Sequence, residues 1–380
     1  VPTARLESLD IARGLTVAAM ILVNDPGDPQ HVYPALRHAD WNGYTFADLV
    51  FPNFLFLSGA SLALSLAPRV ELGSPGKLEL TRALARRSVN LLMLKFFIAQ
   101  VPTFRRRRIR VFGVLFRTAL LSFVAGSIVL QTRRSSTLLK LSAVLLVAYY
   151  GALRIPFGSL NTPFLDPDSN LAAALDRQVA HLFHGHLHNG ALYNVTHDPE
   201  GLLSSIPALA TVLLGAAAAL TLRSPGNPAG KATTLALAGA ASLAAGAAWH
   251  PTFPINKNLW TSSYTLVSAG WSLLALAALY TVYDTHKPSR TAVTVAQPAK
   301  ILGSNAIVAY ALSVVGHKLT RAILIPHQGH RLSLRTYTYR KLFARKHSTP
   351  LRSLAFAVVC VTLSFLPNLL LHRRKIFIKI

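Results

Sequence analysis

Histidine exchanges a proton more readily near neutral pH than any other side chain, and a nearby carboxylate can fix its tautomer. The stretch LRHADWNG holds such a group in His38, with Asp40, Trp41 and Asn42 close behind it. Asn24, at the end of the first apolar run, offers an amide that can donate to a developing oxyanion. Asp48 opens the second apolar run, where a negative charge suits a helix N-terminus. A carboxylate at a membrane margin is costly, which also argues for a functional use. Read on spacing alone, the commoner use of such a residue is a loop histidine bonded to backbone.

Further along, DPEG places Asp198 and Glu200 just before a later apolar run, as groups for acid–base work or amine recognition. INKNLW brings Asn256, Lys257, Asn258 and Trp260 together; the lysine suits a phosphate or carboxylate, and the tryptophan suits a substrate wall or an interfacial anchor. Asn305 lies within an apolar segment, where an amide commonly bonds a neighbouring helix. Asp10 and Arg13, one helical turn apart, either pair with each other or receive an anionic ligand. Histidines 181, 184, 186, 188 and 197 invite a metal reading, but their spacing fits no standard site and no cysteine joins them. We therefore expect no metal. Nor does the sequence hold a P-loop, a dinucleotide fingerprint, a nucleophile elbow or an HExxH motif.

The elements that must position these groups are membrane helices. Of 380 residues, 52% are hydrophobic and only 14% charged, well below the quarter or so usual in soluble domains. Apolar segments of spanning length recur at 9–24, 45–67, 84–102, 111–131, 136–153, 203–222, 231–249, 261–283, 300–317 and 351–371. The net charge of +25 sits in clusters between these runs, which fits the positive-inside rule and lipid headgroups and argues against nucleic acid. Most basic junctions agree with both termini being cytoplasmic. RRRRIR at 105–110 and the segment 331–346 disagree, since both would lie outside. The second of these, within the 318–350 connection, reads as a helix lying on the interface. Cys360 is the sole cysteine, so no disulfide framework or thiolate site is expected. The first apolar segment carries Asp10 and Arg13 and has no small-residue cleavage site, so we expect no cleavable signal.

SLDIARGLTVAAMILVN followed by LRHADWNGYTFADLVFPNFLFLSGASLAL closely resembles the transmembrane heparan-alpha-glucosaminide N-acetyltransferase family and its bacterial relatives. The likeness continues, in order, through GVLFRTAL, DPEGLLSSIPALATVLLG, PINKNLWTSSYTLVSAGW, GSNAIVAY and RRKIFIKI. The resemblance implies an acyl-CoA-dependent enzyme that carries an acetyl group across the membrane. Cytoplasmic acetyl-CoA would be the co-substrate and a glucosamine-type amine on the far side the acceptor. It also implies that the essential histidine is His38, its paired asparagine Asn24, and the assembly a homodimer. Phe116 stands where the family usually has Gln before Arg, which bears on the acyl-CoA channel. We expect no luminal domain before the first apolar segment, and heparan is not presumed as the acceptor.

The expectation is therefore an all-α polytopic membrane protein with about ten spans in a single domain over 1–380, set in a bacterial cytoplasmic membrane. His38 and Asn24 are its catalytic pair. Asp40, Trp41, Asn42, Asp48, Asp198, Glu200, Asn256, Asn258 and Trp260 would meet the glycan or amino-sugar acceptor. Arg13, Arg117, Lys257 and Asn305 would hold the acyl-CoA. The rival readings are an O-acyltransferase of a cell-envelope glycan, a non-catalytic subunit of a membrane assembly, and a small-molecule transporter. A transporter usually shows interrupted helices in matching halves, and no such pairing is visible.

Overall fold

A computed structural model describes residues 6–73, 75–102, 110–155, 164–182, 192–194, 196–327 and 329–378. Its helices are α1 (Glu7–Asn24), α2 (Phe46–Leu72), α3 (Lys77–Gln100), α4 (Val114–Gln131), α5 (Ser135–Leu153), α6 (Leu171–Leu182), α7 (Ser205–Arg223) and α8 (Pro228–Trp249). They continue as α9 (Ser262–Tyr280), α10 (Arg290–Ser304), α11 (Ala306–Ala322), α12 (Leu334–Leu342) and α13 (Pro350–Arg373). One antiparallel hairpin, β1 (Leu324–His327) with β2 (His330–Ser333), interrupts the otherwise helical chain.

Among the described residues, seven helices are long and apolar enough to cross a membrane, and the bent pair α10–α11 raises the number to 8 if it counts as one span. The protein is thus an all-α, polytopic membrane protein. Two of the anticipated spans, α1 and α3, fall short on charge: Glu7, Asp10 and Arg13 in the first, Arg82, Arg86, Arg87 and Lys95 in the second. The segment anticipated at 300–317 is not one helix, because the chain turns by 77° between α10 and α11, at Asn305. The connection 154–202 contains the helix α6, whose short amphipathic run LAAALDRQVAHL carries no spanning signal.

Glycine sets the closest crossings. A Cβ on Gly59 of α2 would strike the Val212 carbonyl of α7, and one on Gly215 of α7 would strike the Phe56 carbonyl of α2. Two backbones in such reciprocal contact gain dispersion that no side chain could supply, the usual basis of helix association in lipid. Gly14 and Gly303 do the same for α1 against α10. At that end of α1, Asp284 accepts from the Glu7 and Ser8 amides (2.9 and 3.0 Å), capping a helix whose own N-cap, Leu6, has no side-chain acceptor. Lys300 pairs with Glu7 at 3.0 Å, and Asn305 bonds the Ile376 carbonyl (3.1 Å) and the Ile378 amide (2.8 Å). Both described ends of the chain therefore meet at the end of α1 opposite Asn24.

Candidate active site

At the Asn24 end, the start of α2 builds the site. Thr45 is the N-cap and Asp48 the N3 residue of a TxxD sequence, and one Asp48 oxygen turns back to accept from the Thr45 amide (3.0 Å). The same oxygen accepts from the Ala39 amide (3.0 Å), which ties the preceding loop to the helix. The other oxygen, Oδ1, lies 2.8 Å from His38 Nδ1 and 3.1 Å from Lys257 Nζ. Lys257 Nζ is also 3.0 Å from His38 Nδ1, so carboxylate, imidazole and ammonium form a closed triangle. Asp48 is buried and its main-chain carbonyl accepts from the Tyr264 hydroxyl at 2.6 Å, so α9 fixes its position. No hydrogen bond engages His38 Nε2 among the described residues, and the His38 side chain is 48% exposed.

A tight turn delivers Lys257. The Trp260 amide donates to the Lys257 carbonyl (3.0 Å), and Trp260 itself has φ 52°, a left-handed value uncommon for a large side chain. Burial holds it there: Trp260 stands edge-on to Phe51 and Tyr264, both at 5.4 Å, and donates to Thr211 Oγ1 (3.2 Å). Asn256, fully buried, accepts from the Leu259 amide (2.9 Å) and donates to Asn42 Oδ1 (3.3 Å). Gly43, at φ 94°, donates its amide to the Ile255 carbonyl (2.8 Å), so the loop before α2 and the turn before α9 are clamped together.

These groups open on a cavity of about 490 Å³. Its polar wall includes Asn24, His38, Asp40, Arg110, Glu200, Lys257 and Asn258, and Met20, Val23, Val50, Phe51 and Val114 line it between α1, α2 and α4. Arg110 holds the DPEG turn by donating to Asp198 (Nε, 2.6 Å) and by pairing with Glu200. Asp198 is buried and also accepts from the Tyr193 and Glu200 amides (3.1 and 3.0 Å). Beneath it, burial first and the Asp198 charge after it raise Asp176 from 3.8 to about 7, against the lowering effect of the Leu202 amide bond.

The structure gathers Asn24, His38, Asp40, Asp48, Glu200, Lys257 and Asn258 around this one cavity. Asp48, not Asp40, is the carboxylate against His38. Trp41 instead bonds the Leu165 carbonyl (3.1 Å) and meets His197 edge-on. Arg117 is wholly buried, 5.0 Å from the Trp260 ring, and donates to the Gly201 carbonyl (2.9 Å) and Ser204. Arg13 pairs with Asp10 and approaches Ser61 Oγ at 3.4 Å. The four groups assigned to acyl-CoA thus lie apart, and Asn305 spends both ends of its amide on the C-terminal backbone. Of the loop histidines, 184, 186 and 188 lie outside the described residues. Both nitrogens of His197 are engaged, by Asn194 (2.9 Å) and Thr196 (3.2 Å). Arg110, Tyr193, Asn194 and Tyr310 join the wall without having been singled out. Tyr310 closes the quoted GSNAIVAY motif and Arg110 ends RRRRIR, so each had a nearby signal.

Residues 5–245 match the family model described as heparan-alpha-glucosaminide N-acetyltransferase, catalytic. The heparan-alpha-glucosaminide N-acetyltransferases of Homo sapiens and Mus musculus are each 28% identical to this chain, over 329 and 332 residues. Each alignment covers 74% of this chain and 49% of the relative, so the chain spans about half the length of the curated relatives it matches. With more than half of its residues matched to that model, His38 and Asn24 among them, the chain belongs to the heparan-alpha-glucosaminide N-acetyltransferase catalytic family.

Proposed function

We propose that this protein is a transmembrane acyltransferase that moves an acetyl group from acetyl-CoA to the amine of a glucosamine-type sugar. One observation carries the reading: Asn24 at the end of α1, His38 in the loop that follows and Lys257 before α9 line a single cavity, in which His38 Nε2 is the ring nitrogen without a partner among the described residues. In the productive tautomer, Nδ1–H and Lys257 both donate to Asp48 Oδ1, the 3.0 Å approach of Lys257 to Nδ1 is a contact between two donors and not a hydrogen bond, and Nε2 carries the lone pair. The acceptor amine attacks the thioester carbon, forming the C–N bond as its proton passes to Nε2. The carbonyl oxygen becomes an oxyanion, to which the Asn24 amide donates. Collapse breaks the C–S bond, and the departing thiolate takes the proton from Nε2. Lys257 offsets the Asp48 charge, so the imidazole faces a balanced pair when neutral.

On this reading acetyl-CoA comes from the cytoplasmic side, where both termini lie, and the acceptor from the opposite side. The apolar residues between α1, α2 and α4 suit the slender thioester arm, and Asp40, Glu200 and Asn258 suit a polar sugar. The test is thiol release from acetyl-CoA by the purified protein in liposomes, with and without glucosamine. Release that requires glucosamine and disappears in His38→Ala supports the proposal. Release that persists in the variant removes His38 from the chemistry.

A further inference from the structure

One of the two basic stretches that sit awkwardly with the positive-inside rule, 331–346, belongs to a distinct structural unit. Beyond Asp284 the sequence contains no Asp or Glu, while Lys and Arg continue to its end. Between the bent pair α10–α11 and α13, the chain forms the β1–β2 hairpin and α12. That unit packs at the Asn24 end of the molecule: Arg335 of α12 donates to the Pro26 carbonyl (3.0 Å), and Ser353, at the start of α13, accepts from the Gly27 amide (3.2 Å). Joining the end of α11 to the start of α13 and bonded back onto the loop after α1, the unit is held close to the ends of the membrane helices. Its exposed cations are Arg321, Arg331, Arg340, Lys341, Arg345 and Lys346. Set among them, Ile323, Leu324 and Leu342 are 50%, 53% and 63% exposed.

We infer that the hairpin and α12, residues 323–346 with Arg321 beside them, form a binding surface for the headgroups of anionic phospholipids. The combination of groups selects that partner. Cations alone would serve any polyanion, but exposed leucine and isoleucine side chains among them gain nothing from a hydrophilic chain. At the acyl boundary they are buried, while the guanidinium and ammonium groups reach the phosphates. Arg335 leaves the same helix inward to Asp25, 3.1 Å away, so the lipid surface and the end of α1 share one element.

The test uses the full chain in phosphatidylcholine nanodiscs doped with photoreactive phosphatidylglycerol or photoreactive phosphatidylcholine, with cross-linked peptides mapped by mass spectrometry. Peptides from 321–346 are expected to take up the phosphatidylglycerol probe about fivefold more than the phosphatidylcholine probe. That preference should vanish in Arg340→Gln/Lys341→Gln/Arg345→Gln/Lys346→Gln, whose altered side chains are all exposed. It should survive Arg373→Gln/Arg374→Gln/Lys375→Gln at the far end of α13. Equal labelling by the two probes in the unaltered protein, or a preference that survives the fourfold substitution, overturns the inference. So does full displacement of the phosphatidylglycerol probe by a soluble sulfated oligosaccharide, which would assign the surface to a glycan.

Discussion

Two histidine–aspartate pairs in this protein are built alike and stand in different surroundings. In one, His38 Nδ1 lies 2.8 Å from Asp48 Oδ1 and Lys257 reaches the same oxygen at 3.1 Å. In the other, His317 Nδ1 lies 2.6 Å from Asp25 Oδ1 and Arg335 reaches that oxygen at 3.1 Å. Each is an imidazole and a cation sharing one buried carboxylate oxygen. The difference lies in what surrounds them. His38 lines the cavity, and its partner's second oxygen fastens the loop that carries it. His317 is outside that lining; Asp25 ends α1, and Arg335 runs on to the Pro26 carbonyl and over the Phe356 ring at 4.9 Å. A histidine–carboxylate pair is therefore not in itself a site. Access to a substrate-sized space, with an amide such as Asn24 facing it, is what separates the two.

The largest contrast is expected at the carboxylates. Asp48→Asn removes the charge beside His38 and puts an amide that can donate as well as accept against its Nδ1, so the tautomer is no longer fixed, and turnover should fall on the order of 10²-fold or more in the liposome assay. Asp25→Asn leaves Arg335 and His317 without their anion. Its main effect should be a loss of stability of about 3–5 kcal/mol, read by denaturant titration in detergent. A comparable turnover loss from both at equal folded fraction would erase the distinction. The cations come next. Lys257→Met should lower kcat roughly tenfold with little change in acetyl-CoA KM, since its charge balances Asp48 beside the reacting group. Arg335→Met should act on the melting temperature instead.

The smallest effect is one of pH. Asp176 of α6, raised to about 7 from 3.8, binds a proton in the folded state that the unfolded chain has already lost. Its contribution to stability is full below about pH 4 and is lost as pH rises through about 7. Hydrogen exchange at Leu202, whose amide donates to Asp176 at 3.0 Å, should report a DPEG turn that opens more often at pH 8 than at pH 6 after correction for intrinsic exchange. Asp176→Asn should remove that dependence.

Sequence picked out the members of one of the two pairs, though not their contact, and left those of the other scattered. Asn24 and His38 stand in one short polar loop between apolar runs, so their convergence needed no long-range contact. Asp48 was visible as a helix-start charge. Its pairing with His38 was not, because that follows from the TxxD cap turning the carboxylate back over the loop. Lys257 lies 219 residues from His38 in sequence, and a turn held open by the buried Trp260 delivers it. His317, Asp25 and Arg335 likewise come from three distant segments. Seven spans announced themselves by apolarity, whereas α1 and α3 have charges that pattern alone cannot weigh against their partners. The break at Asn305 carried no proline and read as continuous helix.

The most direct test sets the two imidazoles against each other. Initial rates of acetyl transfer to glucosamine would be measured for His38→Ala and His317→Ala in matched liposomes, each normalised to folded protein. The account predicts a loss of about 10²–10⁴-fold for His38→Ala and less than about tenfold for His317→Ala. Equal losses, or a larger one at His317, would contradict the assignment of His38 as the base.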